Sequence, residues 1–167
     1  MDSTVNPLLG QSPELGAVTV VIDVSGPMVG SLDYVRSAMV ALERSERIEA
    51  VIAVNARGVS RYNPTDSSLV EWLATLRPGG RQDVTRGLLA ALHDRPRSIV
   101  LVTRSIARTN APDPTASITE ALDRANPLRN GKRSTFIRAV QLVDDDPAGW
   151  VRAIGQSHGE YVVLPMP

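Results

Sequence analysis

The residues most able to do chemistry in this chain are Asp23 and Ser25. They follow the apolar run Val18-Thr19-Val20-Val21-Ile22 and precede Gly26, Pro27 and Met28. An acid, a hydroxyl and a glycine delivered at the end of such a run, just before a helical pattern, stand where open α/β sheets place their ligand sites. Two further stretches can join them. One is the glycine loop Arg77-Pro78-Gly79-Gly80-Arg81-Gln82-Asp83, and the other is Ser98-Ile99-Val100-Leu101-Val102-Thr103, which ends at Arg104-Ser105. The remaining polar groups are weaker candidates. Asp144-Asp145-Asp146 reads as a strand-to-helix loop with a cap and a favourable helix-dipole position, and His93 and His158 read as helix-end residues. No serine, histidine and acid are spaced to suggest a triad.

The elements that must position these groups alternate between strand and helix. Residues 17–23 form the first strand, and Leu32, Val35, Met39 and Leu42 mark one face of a long helix. A second strand over 47–54 turns at Asn55-Ala56-Arg57-Gly58 into a brief, half-polar edge strand at 59–62. A short helix with Leu69, Trp72 and Leu73 leads to the glycine loop, and Asp83 opens a helix with Val84, Leu88 and Leu92 on one face. The apolar strand 98–103 belongs in the centre of a parallel sheet. A loop over 106–114, a helix holding Ile118 and Leu122, and a strand over 135–143 entered through Asn130-Gly131 follow. A helix capped by Asp146 with Trp150, Val151 and Ile154 inward and a last strand over 161–164 complete the pattern. This predicts a doubly wound, three-layer α/β sandwich, Rossmann-like, whose mostly parallel sheet has about six strands and one antiparallel edge strand.

Composition narrows the function classes. Eighteen lysines and arginines balance 18 aspartates and glutamates, so no global field draws the chain to nucleic acid or an anionic membrane. The absence of cysteine removes disulfides, thiolate metal sites and cysteine catalysis. No apolar run approaches the roughly 20 residues that span a bilayer, and the Met1-Asp2-Ser3 start lacks the features of a signal peptide. The expectation is a soluble chain, with the cytoplasm the favoured compartment. Residues 1–15 lack periodicity and are expected to be a flexible N-terminal tail or an edge-hugging arm, and 16–167 a single domain, either a whole protein or part of a larger one.

In order and spacing, the three stretches resemble the von Willebrand factor type A (VWA) domain. The resemblance covers roughly residues 17–164. Asp23-Val24-Ser25-Gly26-Pro27-Met28 is similar to the family's Asp-x-Ser-Gly-Ser-Met; residues 76–84 are similar to its glycine loop before a helix; Ile99 to Ser105 is similar to the strand that ends Thr-Asp-Gly. The resemblance implies protein binding and a Mg²⁺ ion at a metal-ion-dependent adhesion site, held by oxygen ligands. Carried over residue by residue, Asp23 and Ser25 match. Pro27 replaces the second serine, Gln82 or Asp83 falls where the threonine belongs, and Arg104 replaces the second aspartate. A permanently cationic guanidinium repels a divalent ion, so the expectation is a degenerate, metal-free site in which Arg104 pairs with Asp23. If a metal is held at all, Asp23, Ser25 and Asp83 would hold it.

The functional expectation is a non-enzymatic protein-interaction module with no cofactor. It binds through loops at the carboxyl edge of the sheet, with a surface made by Asp23, Ser25, Pro27, Met28, Gln82, Asp83 and Arg104. Arg77, Arg81, Arg86 and Arg108 around it favour an acidic protein partner. The alternatives are a Mg²⁺-dependent adhesion module, an inert scaffold domain of a larger protein, and a haloacid-dehalogenase-like phosphatase. The last casts Asp23, Thr103 or Ser105, Lys132 and Asp144-Asp145 in catalytic parts, but Ser25 stands where a general acid is required.

Overall fold

The computed structural model describes residues 6–10, 15–45, 47–104, 114–143 and 149–165. Among these residues, eight strands and five α-helices occur, and all but β5 and β6 follow the predicted alternation: β1 (Val18–Asp23), α1 (Leu32–Arg44), β2 (Ile48–Asn55), β3 (Gly58–Arg61), α2 (Leu69–Thr75), α3 (Val84–His93), β4 (Ser98–Thr103), α4 (Pro114–Ala125), β5 (Leu128–Arg129), β6 (Lys132–Arg133), β7 (Phe136–Leu142), α5 (Trp150–His158) and β8 (Gly159–Leu164). The main sheet has the order β3-β2-β1-β4-β7-β8, parallel throughout except for the antiparallel edge strand β3. Strands β5 and β6 form a separate ribbon around Asn130-Gly131, where the sequence suggested only a turn.

Alternate residues of each strand enter two cores, which is why the parallel strands read as unbroken apolar runs. Val18, Val20 and Ile22 of β1 join Val100, Val102 and Val140 beneath α1 and α2. Val21 joins Ile52, Ile99, Leu101 and Ile137 beneath α3 and α5. Trp150 is buried in this second core as expected, and Trp72 stacks at a tilt on Tyr62, with ring centroids 5.7 Å apart.

The expectation of a flexible tail is corrected where it can be compared. Leu8, Leu9 and Leu15 are buried in the first core, and burial of each leucine is worth about 2 kcal/mol. Asn6 Nδ2 donates to Ala38 O at 3.1 Å, and buried Arg138 on β7 donates through Nε to Leu8 O at 2.7 Å. Arg138 Nη1 also pairs with Glu160 at 2.7 Å. The guanidinium lies so close over Gly10, where φ is +58°, that a Cβ there would sit 2.8 Å from it. Residues 6–10 therefore cover a sheet face as a helix would, and an arginine fastens them. The rest of that stretch, 1–5 and 11–14, lies outside the described residues, as do Asp144, Asp145, Asp146, Ser105 and Arg108.

At the amino edge of the sheet, Asn126 ties α4 to β7 and α5. It accepts from Thr135 N at 3.1 Å, donates to Thr135 O at 2.9 Å, and its Nδ2 lies 3.1 Å from His158 Nδ1. Asp123 Oδ1 lies 3.1 Å from Arg133 Nη2 and 3.3 Å from His158 Nε2, at angles outside hydrogen-bonding geometry. His158 is thus a helix-end residue, as read, but a buried one with polar neighbours.

Two outcomes follow. Arg138→Ala should lower unfolding free energy by about 2–3 kcal/mol in urea titrations, because it strips a partner from Glu160 and orphans Leu8 O. Burial, and then the Arg133 charge, lower the His158 pKa from 6.5, with Asp123 opposing. The neutral ring is favoured on folding, so stability is full above pH 6.5 and is lost as the pH falls through the lowered folded value. In His158→Gln that segment of the stability-pH curve should flatten.

Candidate functional site

The strand order reverses direction between β1 and β4, since β2 lies on one side of β1 and β4 on the other. The crevice beyond the carboxyl ends of two such strands is the topological switch point of an open sheet. Asp23 ends β1 and Thr103 ends β4, and both are fully buried. Thr103 Oγ1 donates to Asp23 Oδ2 at 2.8 Å, closing the crevice.

The glycine loop completes the arrangement from above. Its backbone is laced to the first loop by Gly26 N to Gly80 O at 3.0 Å and Gly79 N to Val24 O at 2.9 Å. Asn55 Nδ2 holds Gly79 O at 3.2 Å, and Ala56 N holds Arg81 O at 2.8 Å. Gly80 adopts φ +73°, a left-handed turn that glycine takes without strain. Gln82 then reaches inward: its Nε2 donates to Asp23 Oδ2 and to Thr103 Oγ1, both at 3.1 Å. Asp83 caps α3 by accepting from Arg86 N at 3.2 Å, with Arg86 Nε 3.6 Å from its second oxygen. Gly87 lets α3 lie this close, since a Cβ there would meet Val54 at 2.6 Å and Val21 at 2.9 Å.

Asp23 Oδ1 accepts from Ser25 N at 2.9 Å. Among the described residues its donors are thus one backbone amide, one side-chain amide and one hydroxyl, all neutral. The expected Asp23–Arg104 pair is corrected. Among the described residues no ion pair joins Asp23, and Arg104 Nη1 instead approaches Pro27 O at 3.5 Å. The sequence did contain the signal for the true partners, in the amide at position 82 and the hydroxyl at 103. It could not show that Gln82 would reach the carboxylate first.

The seven expected surface residues divide by depth. Asp23, Ser25 and Met28 are fully buried; Gln82, Asp83 and Arg104 are half-buried; Pro27 is exposed. Met28 tucks under a short 3-10 turn, Gly26–Gly30, into the first core, so it offers no surface contact. Its neighbour Val29 does, at 73% exposure. Ser25 Oγ is buried, with no hydrogen-bond partner among the described residues. The phosphatase casting separates in space, because Lys132 on β6 precedes β7 and so stands at the amino edge, opposite Asp23.

Sheet order, edge strand, glycine loop and the switch-point acid together define the fold of a VWA domain. Among solved structures, the chain is similar to the crystal structure of the SpRpn10 VWA domain, with a TM-score of 0.58 and 10% sequence identity over 90% of this chain and 88% of that one. Identity this low speaks for the fold. No family model matches the chain, and no curated protein matches it in sequence.

The Asp23 network makes a direct forecast. Thr103→Val should cost about 2 kcal/mol in chemical unfolding, the worth of a hydrogen bond to a charged group, and Thr103→Ser should recover most of it.

Proposed function

We propose that the chain is a non-enzymatic protein-interaction module that binds through the carboxyl-edge loops without a metal ion. The observation that carries this reading is the occupation of Asp23 Oδ2 by Gln82 Nε2 and Thr103 Oγ1. An Mg²⁺ shell needs oxygen lone pairs turned toward one point. Here hydrogen-bond donors face the carboxylate instead, Pro27 has no side-chain oxygen, Asp83 is committed to the α3 cap, and a guanidinium lies at Pro27 O. These residues do not fit the ion. Ser25 Oγ is the buried oxygen left over from the family pattern, and alone it is too few ligands.

The surface that remains for contact is the rim around this plug: Pro27 and Val29 from the first loop, Arg81 from the glycine loop, Arg57 from the β2–β3 turn, and half-buried Arg104. An apolar patch ringed by guanidinium groups suits an acidic protein segment with an apolar residue at its centre. Among the described residues of this rim, none pairs a nucleophile with a base.

Affinity capture with the purified chain tests both parts. Partners should be retained equally in Mg²⁺ and in chelator, and lost in Arg104→Asp. Loss in chelator would restore the metal-dependent reading, and retention by Arg104→Asp would place binding elsewhere.

A further inference from the structure

The two edges of the main sheet are not alike. At one edge β3 is four residues long, Gly58-Val59-Ser60-Arg61, and its last residue is tied to Asp94 at 2.7 Å. Short length and charge on an edge strand discourage another chain from pairing with it. At the other edge β8 runs for six residues in unbroken parallel register with β7. It holds no proline, and its Tyr161-Val162-Val163 run favours extended chain. Its one charged residue, Glu160, is paired with Arg138 at 2.7 Å.

The backbone sets what this edge can hold. Val143 N donates to Leu164 O at 3.2 Å, so the Leu164 carbonyl points toward β7. Peptide groups of successive residues point to opposite sides of a strand, so Val162 and Glu160 share that side with Leu164. The N–H and C=O groups of Tyr161 and Val163 therefore point outward, and among the described residues no strand pairs with them. Two donors and two acceptors in line, at strand spacing, match an extended polypeptide.

The side chains add a charge preference. Arg152, exposed on α5, lies over the Tyr161 ring, with its guanidinium carbon 5.5 Å from the ring centroid. The Tyr161 hydroxyl bonds to Gln141 Oε1, which fixes the ring beneath it. Among the described residues no carboxylate lies within ion-pair distance of Arg152. A cation thus stands on the α5 face of the edge, whereas the other face of β8 carries Val162 and Leu164, the latter packed on the first core. A second copy of β8 paired across a two-fold axis would bring both Arg152 side chains to one face of the seam, and like charges there oppose it.

We infer that β8 accepts an extended segment of a protein partner, adding a strand to the six of the main sheet, with a carboxylate on Arg152 and apolar side chains on the Val162 face. In such strand addition the main-chain hydrogen bonds supply affinity and alternate side chains supply selectivity. A free carboxylate or other small anion would meet Arg152 alone and leave the edge groups of Tyr161 and Val163 unused.

The test is fluorescence anisotropy of the intact chain with a labelled peptide of alternating valine and glutamate. Saturable binding is expected. N-methyl groups on one alternate set of peptide residues should weaken it at least about tenfold, and on the other set leave it unchanged, because only one set turns its N–H toward β8. Arg152→Glu should weaken the acidic peptide about tenfold and create binding to a peptide of alternating valine and lysine, while Arg81→Glu at the carboxyl edge changes neither. Thermal melts establish that the variants are folded. Absence of saturable binding, equal sensitivity to both methylated sets, indifference to Arg152→Glu, or equal loss in Arg81→Glu would each overturn the site. A concentration-dependent dimer that the peptide disperses would overturn it too, by giving the edge to a second copy.

Discussion

A carboxylate sealed at the end of a central strand is the constraint around which this structure is arranged. Asp23 is fully buried, and removing an ion from water costs several kcal/mol unless hydrogen bonds replace its hydration. Three donors do so, from its own loop, from the end of β4 and from the glycine loop. Each bond to a charged acceptor is worth about 1.5–3 kcal/mol, so together they offset a penalty of that order. The three loops meet because this one group draws a donor from each.

The packing beneath makes the meeting possible. Parallel registers of β1 with β2 and with β4 bring Asp23, Val54 and Thr103 to a common edge. Gly87 brings α3 against the sheet, which lowers the glycine loop to hydrogen-bonding distance of the first loop. In the metal-binding pattern that the sequence resembles, an ion performs this bridging. Here the Gln82 amide and the Thr103 hydroxyl both donate to the Asp23 carboxylate. Around this network Val29, Arg81 and Arg57 are exposed. The same logic recurs at the other edge, where Asn126 and Arg133 satisfy buried backbone groups and hold the basic ribbon in place.

Most of the architecture was legible from residue patterns. The period-2 and period-3.6 runs gave the strand and helix sequence, the half-polar run at 59–62 gave the edge strand, and the motif order gave the fold class. The β5–β6 ribbon escaped notice because two-residue strands carry no period. The docking of residues 6–10 escaped because Pro7 and Gly10 signal a turn, while nothing local reveals that Arg138, 130 residues away, will grip Leu8 O. In the site, the acid and the missing ligands were visible, but the occupant was misread. Charge alone favoured Arg104 as the partner of Asp23, whereas the built geometry sends Arg104 toward Pro27 O and Gln82 inward.

The sequence by itself thus determined the fold class, the strand that carries Asp23, and the loss of the serine and aspartate that an ion would need. These are properties of composition and local period, which each segment carries with it. Only the tertiary structure decided which donor neutralises the demand of that carboxylate, that Met28 goes inward while Val29 stays out, and that β8 stands at an edge of the sheet. Those outcomes depend on distances between segments far apart in the chain, and such distances are set by packing rather than by any stretch of residues read alone.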